Sequence, residues 1–180
     1  MTIKVNTKTT VHRGRTFTVV TENVTLPNDI TANFDIIRHR GAAAIIPFFD
    51  EDTILFLRQY RHALGTYIWE IPAGTLARNE SPEECARREL AEETGYSSHT
   101  WHFLGDIIPV PGYSDEHISI FLATDLYPAE TDLDSDEILS VHKLTVDNVR
   151  SMIERGDIQD GKTLCGFFMA MRRFEAGDHG

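Results

Sequence analysis

The chain predicts a layered α/β (α+β) fold in which helices pack on the faces of a mixed sheet. Three observations lead there. Strand-like runs recur along the first four fifths of the sequence. A single helix with complete start and stop signals interrupts them near the middle. Two further helical runs close the chain, so strands and helices alternate in neither a pure βαβ nor an all-β order.

Taken in order, residues 9–40 hold two short β-like stretches, Thr16–Thr21 and Asn33–Arg38, with Asn28-Asp29 as the turn between them. This segment reads as an edge sheet or a dimerisation arm. Ala42–Phe48 is an almost unbroken apolar run and reads as a buried strand. Asp50-Glu51-Asp52 makes a turn, Thr53–Tyr60 the next strand and Tyr67–Ile71 another, until Pro72-Ala73-Gly74 breaks the pattern. Ser81 is a good N-cap, Pro82 suits the first helical position, and Glu84 completes an S-x-x-E capping box. The helix should run from Pro82 to Thr94, with Gly95 at C′. Trp101–Ile108, Ile118–Leu126 and Ile138–Leu144 read as strands, and Val146–Glu154 and Thr163–Phe174 as helices.

Composition narrows the function. The 180 residues are 41% hydrophobic, enough for one sizeable core. The formal charge is −11, and no Lys/Arg block offers the basic surface that nucleic acid requires. No apolar run reaches the ~18 residues of a membrane span, and Met1–Thr10 lacks the apolar core of a signal peptide. Cys85 and Cys165 read as two buried free thiols, which suits a reducing cytoplasm.

The chemistry concentrates in the capped helix. Offsets of three and four residues put Glu89, Glu92 and Glu93 on one face. Like charges so placed cost helix stability and raise one another's pKa values. A hard divalent cation relieves that repulsion, since Mg²⁺ takes carboxylate, water and phosphate oxygens. Taken alone, the triplet reads more readily as a solvated acidic face. Gly74 adds a place for close backbone approach, and Arg88 and Glu80 suit an ion pair tying the preceding loop to the helix.

Together these residues match a known motif. Gly74, five residues, Glu80, seven residues, then Arg88-Glu89-Leu90-Ala91-Glu92-Glu93-Thr94-Gly95-Tyr96 follow the Nudix box, Gly-x5-Glu-x7-Arg-Glu-U-x-Glu-Glu-x-Gly-U. Tyr96 at the last bulky aliphatic position is a mild departure. Seven fixed residues coincide at a given start with a chance on the order of 10⁻⁸. The chain therefore resembles the Nudix hydrolases, and the resemblance implies an α/β/α sandwich over residues 41–180 behind an N-terminal β segment at 1–40. It implies Glu89, Glu92, Glu93 and the carbonyl of Ala73 as metal ligands. It also implies a catalytic part for Glu89 and an orienting part for Arg88, with Mg²⁺ as cofactor and Mn²⁺ as the alternative.

A second resemblance points to the ADP-ribose pyrophosphatase type. Pro111 stands fifteen residues beyond Tyr96 and is followed by Gly112-Tyr113-Ser114-Asp115-Glu116. Arg58-Gln59-Tyr60-Arg61, the Glu70-Ile71-Pro72-Ala73-Gly74 approach and Asp160-Gly161-Lys162-Thr163 fit the same type. It implies Glu116 as a catalytic carboxylate, with Arg58, Arg61, Tyr60, Trp69, Pro111 and Gly112 as substrate contacts. The expected reaction is hydrolysis of ADP-ribose to AMP and ribose 5-phosphate, with Glu116 or a box glutamate as base. GDP-mannose or another nucleotide sugar is the alternative substrate, and a non-catalytic ligand sensor the alternative class. The type also implies a cytoplasmic homodimer that exchanges its N-terminal segment.

Overall fold

The computed structural model describes residues 2–133 and 137–177. The chain forms two compact units, Met1–Gly41 with Ile108–His117, and Ala42–Ile107 with Ile118–Gly180.

The first unit is an antiparallel sheet of β1 (Lys4–Arg13), β2 (Phe17–Thr25) and β3 (Thr31–His39), in that order. Strand β2 has the period of two of a half-buried strand: Val20, Glu22 and Val24 are buried and their neighbours less so. The turn after it is closed by Asp29 N–H to Leu26 O at 3.0 Å, with Asp29 at φ 61°. Strand β1 was not expected. Every one of its residues is exposed, so no apolar alternation announces it. Backbone pairing and a polar ladder hold it instead: Asn6 Nδ2 donates to Asn23 Oδ1 at 3.0 Å, and Asn23 Nδ2 donates to Asn33 Oδ1 at 2.7 Å. The Pro111-Gly112 loop is fastened to β3 within this unit. Ile37 N–H donates to Tyr113 O at 2.7 Å, and Asp115 accepts from His39 N–H and Arg38 Nη1, both at 2.9 Å.

The second unit holds two sheets. One, β10-β5-β6, joins β5 (Thr53–Arg61) to β6 (Thr66–Glu70) and β10 (Leu139–Thr145). The other, β7-β4-β9-β8, comprises β4 (Ala42–Pro47), β7 (Ala73–Thr75), β8 (Tyr96–Ile107) and β9 (Ile118–Pro128). It is mixed, because β4 and β9 run parallel while the other pairs are antiparallel. The expected break at Pro72-Ala73-Gly74 falls instead at Ile71 and Pro72, and Ala73 already opens the short strand β7. Helices α1 (Pro82–Thr94), α2 (Val146–Glu154) and α3 (Gly161–Glu175) complete the unit.

Strand β4 explains the layering. Ala42, Ala44 and Ile46 join a core with Phe167 and Ala170 of α3 and Val149 and Met152 of α2. Ala43 and Ile45 face Cys85, Ala86 and Leu90 of α1. A strand buried on both faces needs a helix on each side, and this is the α/β/α sandwich expected from the sequence. Small residues set the spacing: a Cβ on Gly166 of α3 would meet Ile71 and Ile46 at 3.1–3.2 Å. The expectation for the cysteines holds for Cys85 only, because Cys165 on α3 is exposed.

Candidate active site

Helix α1 carries its caps as expected. The Ser81 side chain accepts from Glu84 N–H, Glu84 returns to the Ser81 N–H at 2.8 Å, and Gly95 closes the other end at φ 73°. Sturdy caps matter because the interior works against helix stability. Glu92 and Glu93 lie in the last turn, which contains no basic residue. There the negative end of the helix dipole adds to their mutual repulsion.

Two of the three box carboxylates are buried. Glu89 is 8% exposed and Glu93 2%. Burial, then the charges around it, pushes the Glu89 carboxyl above its ordinary range even with Arg88 beside it. Burial pushes Glu93 well above that range, and the neighbouring Glu89 adds to the effect. Glu93 Oε2 accepts from Ala73 N–H at 2.9 Å, which ties β7 to the helix.

Arg88 is the hub of the loop–helix junction. Its Nε and Nη2 grip both oxygens of Glu80 at 2.8 and 3.1 Å, while Nη1 reaches Glu89 at 2.7 Å and Glu92 at 2.8 Å. Hydrogen bonding from Arg88 holds the Glu80 carboxyl below its ordinary range. Gly74 lies against Glu89 so closely that a Cβ there would collide with the carboxylate.

Among the described residues, no three His, Cys, Asp or Glu side chains converge as a ready-made metal cage. The donor chemistry nevertheless suits a hard divalent cation. The site offers carboxylate oxygens, two of them on buried, charge-strained groups, next to backbone that only a glycine lets approach.

A further carboxylate joins this cluster. The charge of Glu137, just before β10, acts on both Glu89 and Glu93 and raises both. Sequence reasoning missed it, since no spacing relates it to the helix. Only the pairing of β10 with β5, Leu139 opposite Gln59, brings that segment here.

The expected substrate contacts separate by strand parity. Arg61 Nε and Nη2 donate to the two oxygens of Glu70 at 2.6 and 2.9 Å. Glu70 is 1% exposed. Burial lowers the Arg61 pKa, the Glu70 bonds and the Glu70 and Glu93 charges more than reverse this, and the net shift is upward. Arg58 lies three residues earlier on β5, so it points from the opposite face. It stacks over Trp69 at 5.3 Å and Tyr67 at 6.0 Å. Tyr60 shares that face with Tyr67, ring centroids 5.4 Å apart, and Trp69 packs edge-on against His142 at 4.9 Å. Arg58, Tyr60 and Trp69 thus form one aromatic–cation cluster, and Arg61 belongs to the other face. Pro111, Gly112 and Glu116 lie in the first unit, where Glu116 Oε1 stands 3.6 Å from His39 Nδ1.

Comparison with known proteins identifies the family. The NUDIX domain family model matches residues 38–167. An ADP-ribose pyrophosphatase of Bacillus subtilis (strain 168) is 35% identical over 158 residues, covering 87% of this chain and 85% of the relative. A methanol dehydrogenase activator of Bacillus methanolicus is 38% identical over 156 residues, covering 86% and 84%. A crystal structure of an ADP compounds hydrolase superposes with a TM-score of 0.86, covering 99% of this chain and 97% of that one at 24% identity, and it shows the shared fold. Fold, box and relatives define a hydrolase of the Nudix type. The chain belongs to the Nudix family.

Proposed function

We propose that the protein hydrolyses the diphosphate linkage of ADP-ribose, with Mg²⁺ as the working cation, to give AMP and ribose 5-phosphate. The observation that carries this reading is the clamped guanidinium of Arg61, whose charge is felt at Glu93, beside the buried box carboxylates. Anion recognition and cation-binding oxygens then lie together, as a diphosphate substrate demands. The 35% identical relative named as an ADP-ribose pyrophosphatase supports the choice of substrate.

A bound divalent cation supplies charge neutralisation at the phosphate oxygens and a more acidic water. Glu89, Glu92 and Glu93 are the residues that would hold it, with the Ala73 carbonyl as a further ligand. Arg61 binds a phosphate oxygen, for which a guanidinium is better suited than an ammonium. Arg88 keeps Glu89 and Glu92 in place. Glu116 or one of the box glutamates accepts the proton of the attacking water; the charge of Glu137 reaches Glu89 and Glu93 as well. The Arg58–Trp69–Tyr60 cluster is assigned to the remainder of the nucleotide sugar through stacking.

Residues 1–40 act as a dimerisation arm on the domain at 41–180. The fully exposed β1, with Val5 and Val11 52% and 63% exposed, supports a homodimer. A cytoplasmic setting suits the two free cysteines. No described helix is long and apolar enough to cross a membrane.

The test is to incubate the protein with ADP-ribose and with GDP-mannose, each with Mg²⁺ and with chelator, and to identify the products. Mg²⁺-dependent AMP release well above GMP release is the expected result. Turnover of GDP-mannose alone would move the substrate assignment, and turnover of neither would reject it.

A further inference from the structure

The segment Asp160-Gly161-Lys162-Thr163 takes no part in the mechanism above, yet its side chains lead directly to Arg61. Asp160 caps α3, and its Oδ2 accepts from Thr163 N–H at 3.0 Å and from Thr163 Oγ1 at 2.6 Å. Thr163 is completely buried and accepts from Ile71 N–H at 3.0 Å. Lys162 Nζ donates to the same Asp160 Oδ2 at 3.0 Å and also to Glu70 Oε2. Glu70 in turn holds Arg61 in a two-pronged grip. One continuous run of charge-assisted bonds therefore joins the start of α3 to Arg61.

This arrangement has a physical consequence. Glu70 is buried, so its carboxylate needs partners that fix both oxygens. Lys162, only 12% exposed, bridges that carboxylate to the Asp160 cap of α3 and so holds its orientation. Arg61 in turn is fixed by Glu70 at Nε and Nη2. Its Nη1 edge lies outside the grip, and 40% of its side chain is open to solvent. A guanidinium locked on one edge and open on the other loses little rotamer freedom when it meets a phosphate.

We infer that Lys162 and Glu70 are positioning residues for the diphosphate subsite, fixing Arg61 so that its open edge receives a phosphate oxygen of the substrate. This rests on the diphosphate-hydrolase reading given above.

The experiment compares wild type, Lys162→Met, Lys162→Arg, Arg61→Gln and the Lys162→Met/Arg61→Gln pair. Four quantities are measured: binding of inorganic pyrophosphate with Mg²⁺ by calorimetry, KM and kcat for ADP-ribose, and Tm. Lys162→Met should weaken pyrophosphate about tenfold and raise KM by a similar factor, with kcat within about threefold. Lys162→Arg should restore both. On the Arg61→Gln background, Lys162→Met should add less than about twofold, because the two residues act through one contact. A purely structural Lys162 would lower Tm while leaving KM and pyrophosphate affinity unchanged, and that result overturns the inference. So does an undiminished Lys162→Met effect on the Arg61→Gln background, or a wild type that does not bind pyrophosphate. Should Lys162→Met fail to fold, Lys162→Gln keeps a donor to Glu70 without the charge and permits the same comparison. A wild type that binds pyrophosphate but does not turn over ADP-ribose refutes the substrate reading alone, and the pyrophosphate titrations still decide this one.

Discussion

Replacing Gly74 by Ala puts a methyl group where the Glu89 carboxylate sits. Gly74 does not occupy the left-handed region, so alanine strains no backbone there and the effect is purely steric. Glu89 must leave its place, which breaks the 2.7 Å bond from Arg88 Nη1. A hydrogen bond to a charged group contributes about 1.5–3 kcal/mol, and a distorted rotamer costs about 0.5–1.5 kcal/mol. Relief of a carboxylate that burial disfavours offsets part of this. The expected loss is therefore about 2 kcal/mol, or about 4–8 °C in Tm for a chain of this size. Urea unfolding of Gly74→Ala, Glu89→Ala and the double variant isolates the contact. The alanine at position 74 should cost less than about 0.5 kcal/mol once Glu89 is gone, the remainder appearing as coupling between the two sites. Full additivity of the two changes, or an unaltered Tm in Gly74→Ala, would refute the steric argument.

Glu93→Gln keeps an acceptor for Ala73 N–H but removes a buried charge, so turnover should fall by at least about 100-fold while Tm in the absence of metal holds or rises; Mg²⁺-dependent rates and melting curves of one preparation test both halves. Glu116→Gln should lower kcat at least about tenfold, and an unchanged kcat would move the proton-accepting role to the box glutamates. Hydrogen bonds from Arg38 and then Lys8 hold the Glu22 carboxyl below its ordinary 4.5. A depressed carboxylate contributes stability that is complete above pH 4.5 and lost as pH falls through the folded-state value. The wild type should therefore lose more Tm than Arg38→Met on acidification from pH 5 to pH 3, in roughly that window; parallel curves for the two proteins would contradict it.

The local signals were legible because they are local. Helix α1 follows from Ser81, Pro82, Glu84 and Gly95, and its acidic face from residue spacing, since capping and helical period act over a few residues. The apolar run of β4 announced a strand covered on both sides, and α1 and α3 cover it. Strand β1 was not legible, because an exposed edge strand held by backbone pairs and asparagines has no hydrophobic period to read. Arg58 and Arg61 both read as substrate contacts, and pleating sends them to opposite faces.

Contiguous motif and period encode the family, the sandwich, the carboxylate face and the Arg88–Glu80 tie. Tertiary contacts alone set the charge of Arg61 against Glu93, clamp that guanidinium with Glu70 and Lys162, and bring the charge of Glu137 to bear on the box carboxylates. Those groups meet through sheet register and helix packing between distant segments, and the free energy of a buried charge depends on what the fold brings beside it rather than on its neighbours in the chain.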